Sequence, residues 1–102
     1  MNMERFDVTP IYVDDDKSIV GIVLEGSNRR VKNEVCLNEY WLVSGMVRFV
    51  IEDDLDNPIV LSKPGVVFRV PAGTVYQDFG ENAVMLCVST PPFDPEQVTV
   101  VE

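Results

Sequence analysis

The sequence predicts an all-β domain of jelly-roll type, and three observations carry that prediction. Val fills 19 positions and Ile 5 of 102. Nearly a quarter of the chain is therefore β-branched aliphatic, stiff at χ1 and suited to pleated, half-buried surfaces. Short apolar runs recur at spacings of roughly 8–12 residues between polar or Gly/Pro turns, as in sandwiches and barrels. An apolar period of 3.6 residues, the mark of an amphipathic helix, is nowhere sustained. The length fits one domain, residues 1–102.

The elements follow in order. Phe6 to Val13 and Ser18 to Leu24 are β-rich runs separated by the polar turn Asp14-Asp15-Asp16-Lys17, and Gly26 to Arg30 is a loop by composition. From Val31 the chain extends through Cys36 to Val43, and Ser44-Gly45 reads as a tight turn into Met46 to Ile51. Val47, Phe49 and Ile51 share one face of that strand. An acidic loop runs from Glu52 to Pro58. Strands are expected at Ile59 to Leu61, Gly65 to Val70, Val75 to Phe79, Ala83 to Ser89 and Val98 to Val101. Pro91 to Pro95 reads as an extended connector.

Composition excludes several chemistries. The chain contains no His, so Ser-His-Asp and Cys-His nucleophile systems, imidazole proton shuttles and His-ligated metals are absent. With 17 acidic and 8 basic residues the net charge is −9 and the pI about 4.3, which argues against nucleic acid as a partner. No apolar run approaches the roughly 18 residues of a membrane span, and Met1 to Val8 lacks the apolar core of a secretory signal. A bacterial-type cytoplasmic protein is expected, with Cys36 and Cys87 as free, buried small hydrophobes. Asp14 to Asp16 reads as a solvated turn. Arg29, Arg30 and Lys32 either receive an anionic ligand group or balance nearby acids.

Two segments carry a more specific pattern. Gly65, Pro71 and Gly73 stand in the spacing Gly, five residues, Pro-x-Gly, with Tyr76 and Gly80 following. Gly65 admits a turn into a strand, and Pro71-Ala72-Gly73 turns the chain sharply. Upstream, Asn38-Glu39-Tyr40-Trp41-Leu42-Val43-Ser44 leads to Gly45. The pair of segments resembles the two motifs of the cupin family, and the Ser89 to Pro95 tail resembles the end of small single-domain cupins. The resemblance covers about half the chain and implies a double-stranded β-helix barrel, RmlC-like in form. In cupins His and Asn stand where this chain has Tyr76 and Gly80. The glutamate slot falls on Asn38 or, with a gap, on Glu39. The His-x-His pair falls on Val31/Asn33 or Lys32/Glu34. The resemblance implies a metal held by three His and one Glu, and this chain lacks that set, so neither metal nor other cofactor is expected.

The remaining groups suit a small polar ligand. Residues alternate faces along a strand, so an inward Tyr76 brings Asp78 with it and an inward Asn38 brings Tyr40. Asn33, Glu34, Asn38, Tyr40, Tyr76 and Asp78 form the candidate ligand-binding set, facing a polar, carbohydrate-like molecule. Two alternatives stand beside binding alone. One is a metal-independent sugar isomerase, epimerase or lyase using Tyr76 with Asp78 or Glu34. The other is a dimerisation or interaction module in which Tyr40, Trp41 and Tyr76 close the barrel. The apolar N-terminal run with Trp41 predicts a homodimer.

Overall fold

A computed structural model describes residues 3–101. Eight strands run in chain order: β1 (Met3–Val13), β2 (Ser18–Ser27), β3 (Val31–Asn33), β4 (Leu37–Ile51), β5 (Ile59–Leu61), β6 (Val67–Val70), β7 (Val75–Thr90) and β8 (Val98–Val100). Two single-turn 3-10 segments, Glu52–Asp54 and Pro95–Gln97, are the helical content of the described residues.

The long strands β4 and β7 organise the molecule. They pair antiparallel from Leu37↔Thr90 to Ile51↔Tyr76, and each passes from one face of a sandwich to the other. On one side, the first half of β4 and the second half of β7 lie between β6 and the β2–β1 pair. On the other, the second half of β4 and the first half of β7 lie between β5 and the β3–β8 pair. Every ladder is antiparallel, and the two faces enclose the interior as in a jelly roll.

Both strands change faces where their registers break, between Leu42 and Met46 on β4 and opposite Glu81 on β7. Ser44-Gly45 is therefore not the tight turn that the sequence suggests. It is a bulge inside one 15-residue strand. Gly45 has φ +76, and a Cβ there would meet the Asn82 carbonyl oxygen at 2.1 Å, so no other residue fits without backbone movement. Asn82 is the facing residue with positive φ, and its N–H donates to Glu25 Oε2 at 2.5 Å. The expected strands Val75–Phe79 and Ala83–Ser89 are likewise halves of one strand. Because an extra residue is inserted, inward positions run Tyr76, Asp78, Gly80 and then Ala83, Met85, Cys87, Ser89.

The expected extended run from Val31 to Val43 is interrupted. Asn33 Oδ1 accepts from the N–H groups of Val35 and Cys36, at 2.9 and 2.8 Å, and this Asx turn separates β3 from β4. The acidic loop contains the short 3-10 turn, with its acids exposed.

The core fills one side of the sandwich, toward β5 and β6. Leu42, Val47, Phe49, Leu61 and Val70 are buried there, with Leu24, Ala83 and Met85 beside them. The Phe49 ring lies 5.0 Å from Phe68 and 4.9 Å from Tyr40, in tilted aromatic contacts. Among the described residues no helix is long and apolar enough to cross a membrane.

Candidate functional site

Toward β1, β2, β3 and β8 the sandwich is hollow. A cavity of about 540 Å³ lies there, between the two faces and the segment carrying Phe93 and Pro95. Val20, Ile22, Val31, Val98 and Val100 make an apolar wall, and Phe6 and Val8 of β1 join it. The polar groups come chiefly from β4 and β7. Asn38 and Tyr40 approach from one face, and Tyr76 and Asp78 from the other.

Most of these polar groups satisfy one another. Ser89 Oγ donates to Asn38 Oδ1 at 2.7 Å, joining neighbours across the β4–β7 ladder. The hydroxyls of Tyr40 and Tyr76 hydrogen-bond to each other across the interior. Both rings also contact Phe49, so the tyrosines stand at the boundary between core and cavity. Asn33 lines the cavity and holds the turn after β3, with its amide donating to Gln97 Oε1 at 3.4 Å.

Asp78 differs. It is 3% exposed, and its Oδ1 is the one buried side-chain oxygen or nitrogen without a hydrogen-bond partner among the described residues. Burying an unpaired carboxylate oxygen is costly. Burial raises this carboxyl to about 6, against the opposing pull of the Asn28 side chain. Burial also pushes the Tyr40 phenol well up, with Tyr76, Cys87 and Asp78 adding to it. Tyr76 rises chiefly through burial, although its hydrogen bond with Tyr40 opposes the rise. The Cys87 thiol is pushed up to about 11 by burial. At neutral pH the wall therefore presents two neutral phenols and a neutral thiol. Asp78 is the wall group whose proton changes hands near neutrality. Tyr76 is suited to donating a hydrogen bond, and Asp78 to exchanging a proton.

Five of the six candidate residues, Asn33, Asn38, Tyr40, Tyr76 and Asp78, line this one cavity. Glu34 does not. It is exposed and pairs with Lys32 at 3.0 Å, in the turn that Asn33 holds after β3. The alternatives left open by the motif resolve in the same way. Val31 and Asn33 face the cavity, whereas Lys32 and Glu34 do not. Asn38 faces it, whereas Glu39 pairs with Arg69 at 2.7 Å outside.

Sequence reasoning missed Cys87, Ser89 and Asn28 as lining residues; of the three basic residues it offered to an anionic ligand group, Arg29 lines the cavity and Arg30 and Lys32 do not. The period of two from Ala83 could have found the first pair. The loop residues Asn28 and Arg29 carry no such signal, since a tertiary contact places them.

The donor set does not fit a divalent transition metal. The positions matching the cupin ligand slots hold Val31, Asn33, Asn38 and Tyr76, which supply amides and a phenol resistant to ionisation. No group of three His, Cys, Asp or Glu able to hold a metal exists among the described residues. Neutral oxygen donors beside one carboxylate make a weak set for such an ion.

No family model and no curated protein matches the chain. Solved structures match it along most or all of its length. A Streptomyces Pac13 variant with uridine is 21% identical, with a TM-score of 0.83, and covers 100% of this chain and 82% of that one. Pac13 is described as a nucleoside dehydratase. KdgF from Halomonas sp. is 15% identical, with a TM-score of 0.77, over 94% of this chain and 93% of that one. An RmlC-like cupin protein from Desulfovibrio desulfuricans is 17% identical, with a TM-score of 0.73, over 88% and 86% of the two chains. These likenesses are of fold, and the fold is the cupin barrel.

Proposed function

We propose that this cupin-fold barrel holds a small, hydroxylated, carbohydrate- or nucleoside-like molecule in its cavity without a metal. The observation that carries the reading is Asp78, a buried carboxyl with one unpartnered oxygen on the cavity wall. A ligand hydroxyl or N–H supplies the missing donor. The volume of about 540 Å³ lies within the range of small-molecule sites, roughly 300–1,000 Å³. The uridine in the similar Pac13 structure supports a ligand of this size and polarity.

Calorimetric titration tests the proposal with uridine, uridine 5′-monophosphate, glucose and glucuronate as probes. Saturable binding of at least one is expected, weakened about tenfold or more in Asp78→Ala, as loss of a charge-assisted hydrogen bond implies. Binding of none, or binding indifferent to Asp78→Ala in a variant that stays folded by circular dichroism, overturns it.

A second reading is isomerisation or elimination of the bound molecule. It is favoured by the carboxyl near 6 beside the Tyr40–Tyr76 hydroxyl pair. Asp78 would exchange the proton while a phenol donates to the developing oxyanion. A pH-rate profile that breaks near 6, and loses the break in Asp78→Asn, would support it. The cavity beside Tyr76 tells against a barrel closed by its own side chains. Dimerisation remains part of the proposal. β1 ends the sheet path with Ile11, Tyr12 and Val13 exposed, and light scattering at micromolar concentration should report twice the chain mass.

A further inference from the structure

We infer that the molecule held in the barrel carries an anionic group, a carboxylate or a phosphate, that seats against Arg29 at the cavity wall while its hydroxylated body reaches Asp78. This rests on the small-molecule reading of the cavity and narrows it to one ligand class.

Arg29 is the one basic residue lining the cavity among the described residues. The chain has only eight basic residues among 17 acidic ones, so carboxylate partners are plentiful by composition. Arg5, Lys17, Lys32 and Arg69 take such partners, and Arg48 lies 4.4 Å over the Phe79 ring. Arg29, like Arg30, Arg48 and Lys63, pairs with no carboxylate among the described residues, and of these four it alone lines the cavity. Its guanidinium, a planar fork of donors, remains available for bidentate contact with a carboxylate or phosphate.

The loop carrying it is fixed in place. Asn28 N–H donates to the Asp78 carbonyl at 2.9 Å, and Gln77 Nε2 donates to the Asn28 carbonyl at 2.7 Å. Arg29 N–H donates to Asn28 Oδ1 at 2.8 Å, and Val101 N–H to the Arg30 carbonyl at 2.9 Å. The stretch of β7 that presents Asp78 thus anchors Arg29 too. Arg29, which is exposed, and the unpartnered Asp78 oxygen thus line one cavity, their backbones joined by the Asn28–Asp78 hydrogen bond.

Two electrostatic objections are answered by magnitude. The net charge of −9 opposes anions at long range, but salt screens such fields beyond about 10 Å at 0.1 M ionic strength, leaving contact to decide. Asp78 would repel an anion if ionised, and burial raises its carboxyl to about 6, so the anionic preference is read below that pH, where Asp78 is largely neutral. A cationic ligand would instead meet the like charge of Arg29.

Matched probes separate these cases by calorimetry at low ionic strength. One series is uridine against uridine 5′-monophosphate. The other is glucose against glucuronate and glucosamine. In at least one series the anionic member should bind about fivefold or more tighter than the neutral one, and Arg29→Gln should weaken the anionic member more than the neutral one, reducing that preference to within about twofold. The series showing the preference distinguishes phosphate from carboxylate. Equal or tighter binding of the neutral members in both series, tightest binding of glucosamine, or a preference that survives Arg29→Gln overturns the inference. A neutral probe that binds through Asp78 while its anionic partner gains nothing leaves the small-molecule reading standing and removes only this one. Saturable binding by no probe removes both.

Discussion

The two sides of this sandwich share the long strands β4 and β7 and differ in what those strands point inward. Toward β5 and β6, β4 and β7 contribute Leu42, Val47, Phe49 and Met85, and the space is filled. Toward β1 and β8 they contribute Asn38, Tyr76, Asp78, Cys87 and Ser89, and the space is open. Backbone pairing is indifferent to this choice, since both sides have regular antiparallel ladders. The filled side stabilises the barrel, and the hollow side holds buried polar groups that stability alone does not call for. Retaining the unpartnered Asp78 oxygen is the clearest departure.

Substitutions can break or sharpen that contrast. Phe49 is fully buried in the filled side, so Phe49→Ala should lose about 3–5 kcal/mol in urea denaturation. A loss below about 1 kcal/mol would remove the distinction between the sides. On the hollow side the sign reverses for Asp78. Its folded carboxyl titrates at about 6 against an ordinary 3.8, so the folded state holds the proton more tightly than the unfolded one. Its contribution is therefore most favourable at acid pH and is lost as pH rises from about 4 through about 6. Asp78→Asn should accordingly gain up to about 3 kcal/mol near pH 8 and little near pH 4. A gain equal at both pH values would locate the cost elsewhere.

Smaller effects sharpen the boundary. Asn33 supports the turn between β3 and β4 with two accepted hydrogen bonds, so Asn33→Ala should cost about 1–2 kcal/mol in thermal or urea unfolding. Glu34 lies outside the cavity, with its side chain 63% exposed beside Lys32. Glu34→Gln should change stability by no more than about 0.5 kcal/mol and leave probe binding unaltered. A marked loss of binding in that variant would put the ligand elsewhere.

The filled side was the more legible in sequence. Alternation in Val47, Phe49 and Ile51, and the Gly65, Pro71 and Gly73 spacing, mark strands and turns through local rules. Tyr76 with Asp78, and Asn38 with Tyr40, were legible for the same reason. The bulge was not. Ser44-Gly45 looks like any Gly turn until the opposing Asn82 is known, and that pairing joins residues far apart in the chain. Arg29 was visible as a charge but not as part of a wall, since hydrogen bonds to β7 place it there.

The crossing at Gly45 and Asn82 also governs how the chain can change in length. Inward positions shift parity there on both strands, so the two halves of each strand keep their facing only at the present residue count. A residue gained or lost in the exposed segment from Glu52 to Pro58 alters a loop and little else. One gained between Gly80 and Ala83 would reverse the facing of one half against the other, and Tyr76 and Asp78 would leave the wall while Cys87 and Ser89 stayed. Homologous chains that share this cavity should therefore vary in length at the loops and hold it constant across the crossing.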